Sequence, residues 1–185
     1  GLSTAESSPT CNFPLSEGKG WMYEGGVREP LIARWPGRVA AGSRCDEPVT
    51  SPDLFPTLLA AAGLDAMPEQ HADGASFLPA LEGRPEPRGP IFWHYPHYGN
   101  QGGSPASAVR DGAWKLIEFL EDGRVELYHL PGDISETRDC AAEQPQVVQR
   151  LREQLDAWRQ RVGARMPEVN PDYTPPGDPE ADPAV

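Results

Sequence analysis

The sequence contains no apolar run approaching the ~20 residues that a bilayer-spanning helix requires, so neither a transmembrane helix nor a membrane partner is expected. Cysteine is scarce: Cys11, Cys45 and Cys140 form an odd, widely spaced set with no Cys-x-x-Cys pair, which argues against a zinc site. They allow one disulfide with a free thiol, or three ordinary thiols, which is the plainer reading. Basic residues are few, 16 Lys and Arg against 28 Asp and Glu, for a formal charge of -12. Such a chain repels phosphate backbones, and no nucleic-acid partner is expected. A small anionic ligand is not excluded, because one local cation outweighs the average field at short range. The chain begins with Gly1 rather than Met, as expected of a fragment or a processed product. The lack of a visible secretory leader therefore says nothing about compartment.

Proline and glycine are plentiful, with 22 and 19 residues, and 38% of the chain is hydrophobic. They follow no collagen-like period, and the aromatics are spread along the chain, so the composition implies a loop-rich α+β unit rather than a helical bundle or general disorder. Residues 1–18 are polar and read as loop. The run Pro30-Leu31-Ile32-Ala33-Arg34-Trp35, closed by Pro36-Gly37, reads as a buried strand followed by a turn. Ser51-Pro52-Asp53 reads as a helix start, with Ser51 as cap, and Leu54, Phe55, Leu58, Leu59 and Ala62 then recur at helical spacing up to Gly63. A weaker helix is expected from Ser76 to Glu82.

Four strands follow: Ile91 to Tyr95, Ala106 to Arg110, Trp114 to Leu120 and Val125 to Leu130. Asp111-Gly112 and Asp122-Gly123 suit hairpin turns, so an antiparallel meander is expected. Gln146 to Val162 carries one apolar stripe, formed by Val147, Val148, Leu151, Leu155, Trp158 and Val162, and should pack on one face of that sheet. From Met166 the chain is proline-rich and acidic, and it reads as a mobile tail. The implied organisation is 1–85, then 86–165 as sheet plus helix, then 166–185 as tail. No internal repeat is present.

Among candidate functional residues Lys19 comes first. It stands between Gly18 and Gly20, with Gly25 and Gly26 close behind. Glycines let a backbone come close to a ligand, and an ammonium can hold an oxyanion or donate a proton. On spacing alone the segment reads first as an ordinary exposed lysine in a flexible loop, because glycine-plus-lysine patterns are common, and it is not a P-loop. His94 and His97, three apart among aromatics, could line a pocket at a strand end; two imidazoles alone make a poor metal site.

The run Gly18-Lys19-Gly20-Trp21-Met22-Tyr23-Glu24-Gly25-Gly26-Val27-Arg28-Glu29-Pro30 resembles the second signature of type I sulfatases, G-K-G-x-x-Y-E-G-G-x-R-x-P. Further matches follow in order. Ser51 to Leu58 resembles S-x-D-L-x-P-T-L, Asp73 to Leu78 resembles D-G-x-S-L-x-P, and Arg110 to Leu116 resembles R-x-G-x-W-K-L. Leu127-Tyr128-His129-Leu130 with Glu136-Thr137 resembles L-Y-x-L…D-P-x-E, from which Pro131 and Ile134 depart. Together these matches cover roughly 15–160.

The resemblance implies an alkaline-phosphatase-like α/β fold, of which 1–85 would be the end of the large catalytic domain and 86–165 the small C-terminal sheet-and-helix unit. It implies hydrolysis of a sulfate ester, a small molecule or a carbohydrate, by a formylglycine made from Cys or Ser in C/S-x-P-x-R, with calcium or a similar cation polarising the sulfate. None of the three cysteines starts that motif. Nucleophile and metal ligands are thus expected outside this chain, in the remainder of the catalytic domain, and the isolated chain is expected to be inactive. What carries over by position is Lys19, placed against the sulfate oxygens to stabilise the transferring group. Glu24 and Arg28 would form a buried ion pair that holds the loop. The family's habit implies a periplasmic or secreted location. A phosphonate or phosphodiester hydrolase of the same superfamily, or a non-catalytic unit that binds a sulfated ligand, are the other readings.

Overall fold

The computed structural model describes residues 2–3 and 9–173. Its centre is an antiparallel sheet of β1 (Ile91–Tyr95), β2 (Ala106–Asp111), β3 (Trp114–Phe119) and β4 (Val125–His129), in the order β1-β2-β3-β4. This is the expected meander, with ends shifted by a residue. The first hairpin closes on the Asp111–Trp114 pair. Gly112 takes the first loop position at φ 58, where a residue with a Cβ would be strained.

The two faces of the sheet follow from the period-two alternation of the strands. One face presents Val109, Leu116 and Leu127, which lie opposite one another across the ladder. Helix α4 (Pro145–Val162) covers it with Leu151 and Leu155, and Trp158 stacks on Phe92 at 5.0 Å between centroids. Gly163 ends the helix in the left-handed region, while the Ala164 N–H bonds the Arg159 carbonyl at 2.9 Å. The other face presents Ala106, Ala108, Ile117 and Tyr128, and receives Met22 and Tyr23 from the N-terminal segment. The sheet is thus covered on both sides, and the charges within β3 must be paired inside the protein. Glu118, on the α4 side, accepts from Arg152 at 2.8 Å and Arg159 at 2.6 Å.

Four expectations need correction. The segment 30–35 is not a buried strand: it makes no ladder among the described residues, and Ile32 is 90% exposed. Its apolar pattern alone cannot make a strand without a neighbour to pair with. The helix after Thr50 begins one residue early: Thr50 rather than Ser51 is the cap, its N–H donating to Asp53 Oδ2 at 2.6 Å, and Ser51–Asp53 is a 3-10 turn leading into α2 (Leu54–Ala61). Gly63 closes α2 as expected, with Leu64 N–H bonding the Leu59 carbonyl and Gly63 N–H that of Ala60. The stripe of α2 turns outward, leaving Leu54, Phe55 and Leu58 exposed while Pro56 and Thr57 are buried. The weaker helix shrinks to α3 (Leu78–Leu81).

Asp53 explains why Thr57 rather than the leucines faces inward. Buried, it accepts from Ala75 N–H at 2.8 Å and pairs with Arg88, while Thr57 Oγ1 bonds Asp53 O and receives Phe77 N–H at 3.0 Å. Polar anchoring, not apolar packing, fixes the orientation of α2. The three cysteines are unpaired. Residues 166–173 form no helix or strand, and the rest of the expected tail, from 174, lies outside the described residues.

Candidate active-site loop

Residues 16–28 form a tight loop ending in the short helix α1 (Glu24–Val27). The expected role of the glycines was close approach to a ligand; the approach observed is to the chain itself. A Cβ on Gly25 would stand 2.2 Å from the carbonyl oxygens of Ser16 and Glu17, and one on Gly26 would stand 2.0 Å from that of Trp21. The helix therefore lies directly on the backbone that carries Lys19. On its other side this loop meets the β1–β2 connection: a Cβ on Gly103 would stand 2.2 Å from the Gly20 carbonyl, and one on Gly102 2.4 Å from the Trp21 indole nitrogen. Gly26→Ala should cost at least about 1–3 kcal/mol, the range for overpacking, because the obstructing atoms are backbone and cannot rotate away. Urea unfolding against the parent chain measures it, and an unchanged midpoint would refute the packing.

Lys19 itself is exposed. Its N–H bonds the Leu2 carbonyl at 3.0 Å, and its ammonium has no partner among the described residues. His97 lies in the connection that meets the Lys19 loop, edge-on to Tyr95 at 5.3 Å. His94 is directed elsewhere: its Nδ1 is 2.8 Å from Ser107 Oγ, and its Nε2 donates to the Arg165 carbonyl at 2.7 Å. It thus ties β1 and β2 to the chain beyond α4, on the sheet face opposite Met22 and Tyr23. The structure brings Lys19 and the His97 loop together and leaves His94 out.

Beneath the loop lies a buried charge cluster that sequence reasoning missed. Glu24 was expected to pair with Arg28. That contact exists at 3.4 Å, but Arg28 is 43% exposed. The close partner is Lys115 of β3, 2.9 Å from Glu24 Oε1 and wholly buried. Lys115 also lies 2.9 Å from Glu136, whose other oxygen accepts the Glu24 N–H at 2.6 Å. Arg110 approaches Glu24 at 4.0 Å. Burial raises the Glu136 carboxyl above its ordinary value, and the neighbouring Lys115 opposes that shift. A few residues away, Tyr23 and Tyr128 both donate to Glu126 Oε2, at 2.7 and 2.8 Å; burial and that carboxylate push both phenols far up.

Among the described residues no group of three His, Cys, Asp or Glu side chains is arranged to hold a metal. The buried carboxylates of Glu136 and Asp53 are each taken by a cationic side chain and a backbone N–H, and that of Glu24 by Lys115 and Arg28. These residues do not make a calcium site by themselves.

The two-sided meander, its covering helix and the glycine-packed lysine loop are those of the C-terminal part of a type I sulfatase, in the alkaline-phosphatase-like class. A family model described as N-sulphoglucosamine sulphohydrolase, C-terminal, matches residues 17–161, and the chain belongs to that family. A sulfatase of Formosa agariphila is 34% identical over 166 residues, covering 81% of this chain and 30% of that protein. Human arylsulfatase A is 43% identical over 112 residues, covering 60% and 21%. Among solved structures, Ps i-CgsB superposes with a TM-score of 0.69 at 32% identity, over 80% of this chain and 32% of that one. A phosphonate monoester hydrolase from Silicibacter pomeroyi gives 0.52 at 25% identity, over 69% and 28%. The chain thus spans about a third or less of the length of these relatives. No helix among the described residues is long and apolar enough to cross a membrane.

Proposed function

We propose that this chain is the C-terminal region of a sulfuric ester hydrolase, to which it contributes Lys19 as a contact to the sulfate oxygens and, through Lys19 and the His97 loop, one wall of the substrate pocket. The observation that carries this reading is an exposed ammonium, without a partner among the described residues, on a backbone that glycine packing and a buried ion cluster hold in place. Such a cation is preorganised for charge developing on a transferring group. The nucleophile, as formylglycine, and a calcium or similar cation belong to the remainder of the catalytic domain; that group would polarise the sulfate. The exposed apolar side chains of Leu31 and Ile32, and of Leu54, Phe55 and Leu58 on α2, are where the remainder would cover residues 1–85. The substrate is a sulfate ester of a small molecule or carbohydrate, and a periplasmic or secreted setting suits it.

The similarity to a phosphonate monoester hydrolase keeps that reaction as the second reading, with the weaker superposition. The test has two parts. The reading frame upstream of the Gly1 codon should contain Cys/Ser-x-Pro-x-Arg. The protein it encodes should hydrolyse an aryl sulfate in preference to an aryl phosphonate, while the isolated chain turns over neither. A frame without that motif, or turnover of the phosphonate alone, would overturn the sulfatase reading.

A further inference from the structure

We infer that Lys115 and Glu136 are positioning residues for Lys19: from the core beneath it they clamp α1 and, through it, the backbone on which Lys19 stands. The inference rests on the proposed role of Lys19 for its catalytic consequence, though not for the clamp itself.

Glu24 is held twice. Its carboxylate faces Lys115 at 2.9 Å, and its backbone N–H is taken by Glu136 at 2.6 Å. The two holds are tied together, because Lys115 also lies 2.9 Å from Glu136. All three side chains are almost wholly withdrawn from water, where an ion pair is screened little and a displaced partner leaves an uncompensated charge. Neither carboxylate can drift without stranding the lysine.

The next link is steric. Gly25 and Gly26 follow Glu24 with no room for a methyl group between them and the backbone of Ser16, Glu17, Gly18 and Trp21. The Gly25 N–H bonds the Ser16 carbonyl at 2.8 Å, and the Trp21 N–H bonds that of Gly18 at 3.0 Å. A shift of α1 is therefore a shift of 16–21, with Lys19 in the middle. Backbone conformation agrees: Glu17 (φ 56) and Glu136 (φ 51) are the two non-glycine residues in the left-handed region among the described residues. Such conformations persist where the surroundings over-determine them. Here they stand at the two ends of this chain of contacts. Lys115 reaches the cluster because β3 places it on the same face as Ile117, toward Met22 and Tyr23.

The test substitutes Glu136→Gln, which keeps an acceptor for the Glu24 N–H but removes the charge that Lys115 ties down. Amide hydrogen exchange on this chain is expected to show protection of Gly25, Gly26 and Trp21 falling about tenfold or more while Leu116 and Leu127 keep theirs, the signature of a local opening. Unchanged loop protection, or an equal loss everywhere, overturns the clamp. In the natural protein that carries this chain, Glu136→Gln should lower kcat with an aryl sulfate by about ten- to a hundred-fold through misplacement of Lys19. In a Lys19→Ala background the same substitution should change kcat by less than about twofold, because coupled residues are not additive. Equal losses in both backgrounds would overturn positioning in favour of a general structural role. Loop opening without any effect of Lys19→Ala would instead leave the clamp standing and sink the proposed role of Lys19. Should Glu136→Gln fail to fold, exchange on the unsubstituted chain decides: Gly25 and Gly26 should be protected to within about tenfold of Leu116, and a gap of about a thousandfold would refute the clamp.

Discussion

Lys19→Ala in the protein that carries this chain is expected to reduce kcat on an aryl sulfate by about 10²–10³, the range seen when a preorganised donor to a developing oxyanion is removed, with a much smaller change in KM. The asymmetry follows from where charge appears. The sulfate ester carries its negative charge before and after binding, so ground-state attraction to a single exposed lysine is screened by water and ions. In the transition state charge builds on the transferring group and the leaving oxygen, and a cation already in position gains there without reorganisation. Stability should be untouched: the side chain is exposed and has no partner among the described residues, so truncating it belongs with surface substitutions of about ±0.5 kcal/mol. A melt alongside the kinetics separates the two effects. An unchanged kcat would show that this lysine contacts nothing that reacts, and Lys19→Arg is expected to recover only part of the loss because a planar fork replaces a point charge.

The legibility of the fold in the sequence divides along a physical line. Elements whose stabilising partners lie within the chain were readable. The stripe of Leu151, Leu155 and Trp158 found the sheet face it implied, and the Asp-Gly turns set the hairpins where expected. Elements without a local partner were not. The run 30–35 has the composition of a strand and nothing among the described residues to pair with, and α2 shows water the side that its stripe marked for burial. Periodicity states what a segment could bury, and not against what. The Lys19 loop was legible as a signature, but the reason for its glycines was not, since the atoms they accommodate are backbone atoms of the same loop.

The cluster beneath it was hidden for another reason. Lys115 falls in the run Trp114-Lys115-Leu116-Ile117-Glu118-Phe119, where a charged residue between apolar ones ordinarily marks a solvent face. That inference fails because the strand is covered on both sides, by α4 and by the segment that includes Met22 and Tyr23. The available clue was that Ile117 and Phe119 share the face of Lys115, so the face could not be wholly wet. Glu136 stood in the sequence only as part of the L-Y-x-L…D-P-x-E resemblance; as a loop glutamate at a positive φ, it carries no periodicity that would mark it as buried.

Lys115→Met is expected to destabilise this chain by about 3–5 kcal/mol at neutral pH, the cost of removing one partner from a buried ionic group. The methionine nearly fills the volume, so the loss is electrostatic rather than a cavity. Glu24 and Glu136 would then face each other without the cation between them, and Arg110 at 4.0 Å is too distant to replace a contact at 2.9 Å. The pH dependence has a definite sign. Glu136 already titrates above its ordinary 4.5 because it is buried, and Lys115 opposes that rise. A folded-state carboxyl raised in this way binds more protons than the unfolded chain does. Its contribution is therefore full below about the unfolded value and is lost as pH rises through the folded value. Removing the lysine widens that window upward. The deficit of the variant should accordingly be largest near neutrality and shrink as pH falls toward the ordinary glutamate range, where the Glu136 carboxyl takes up a proton and no longer stands as a buried, unpaired charge. Unfolding free energies measured for parent and variant across this range give the curve directly. A deficit independent of pH would mean that packing, rather than the buried carboxylates, carries the role of Lys115, and a deficit that grew in acid would contradict the cluster as described.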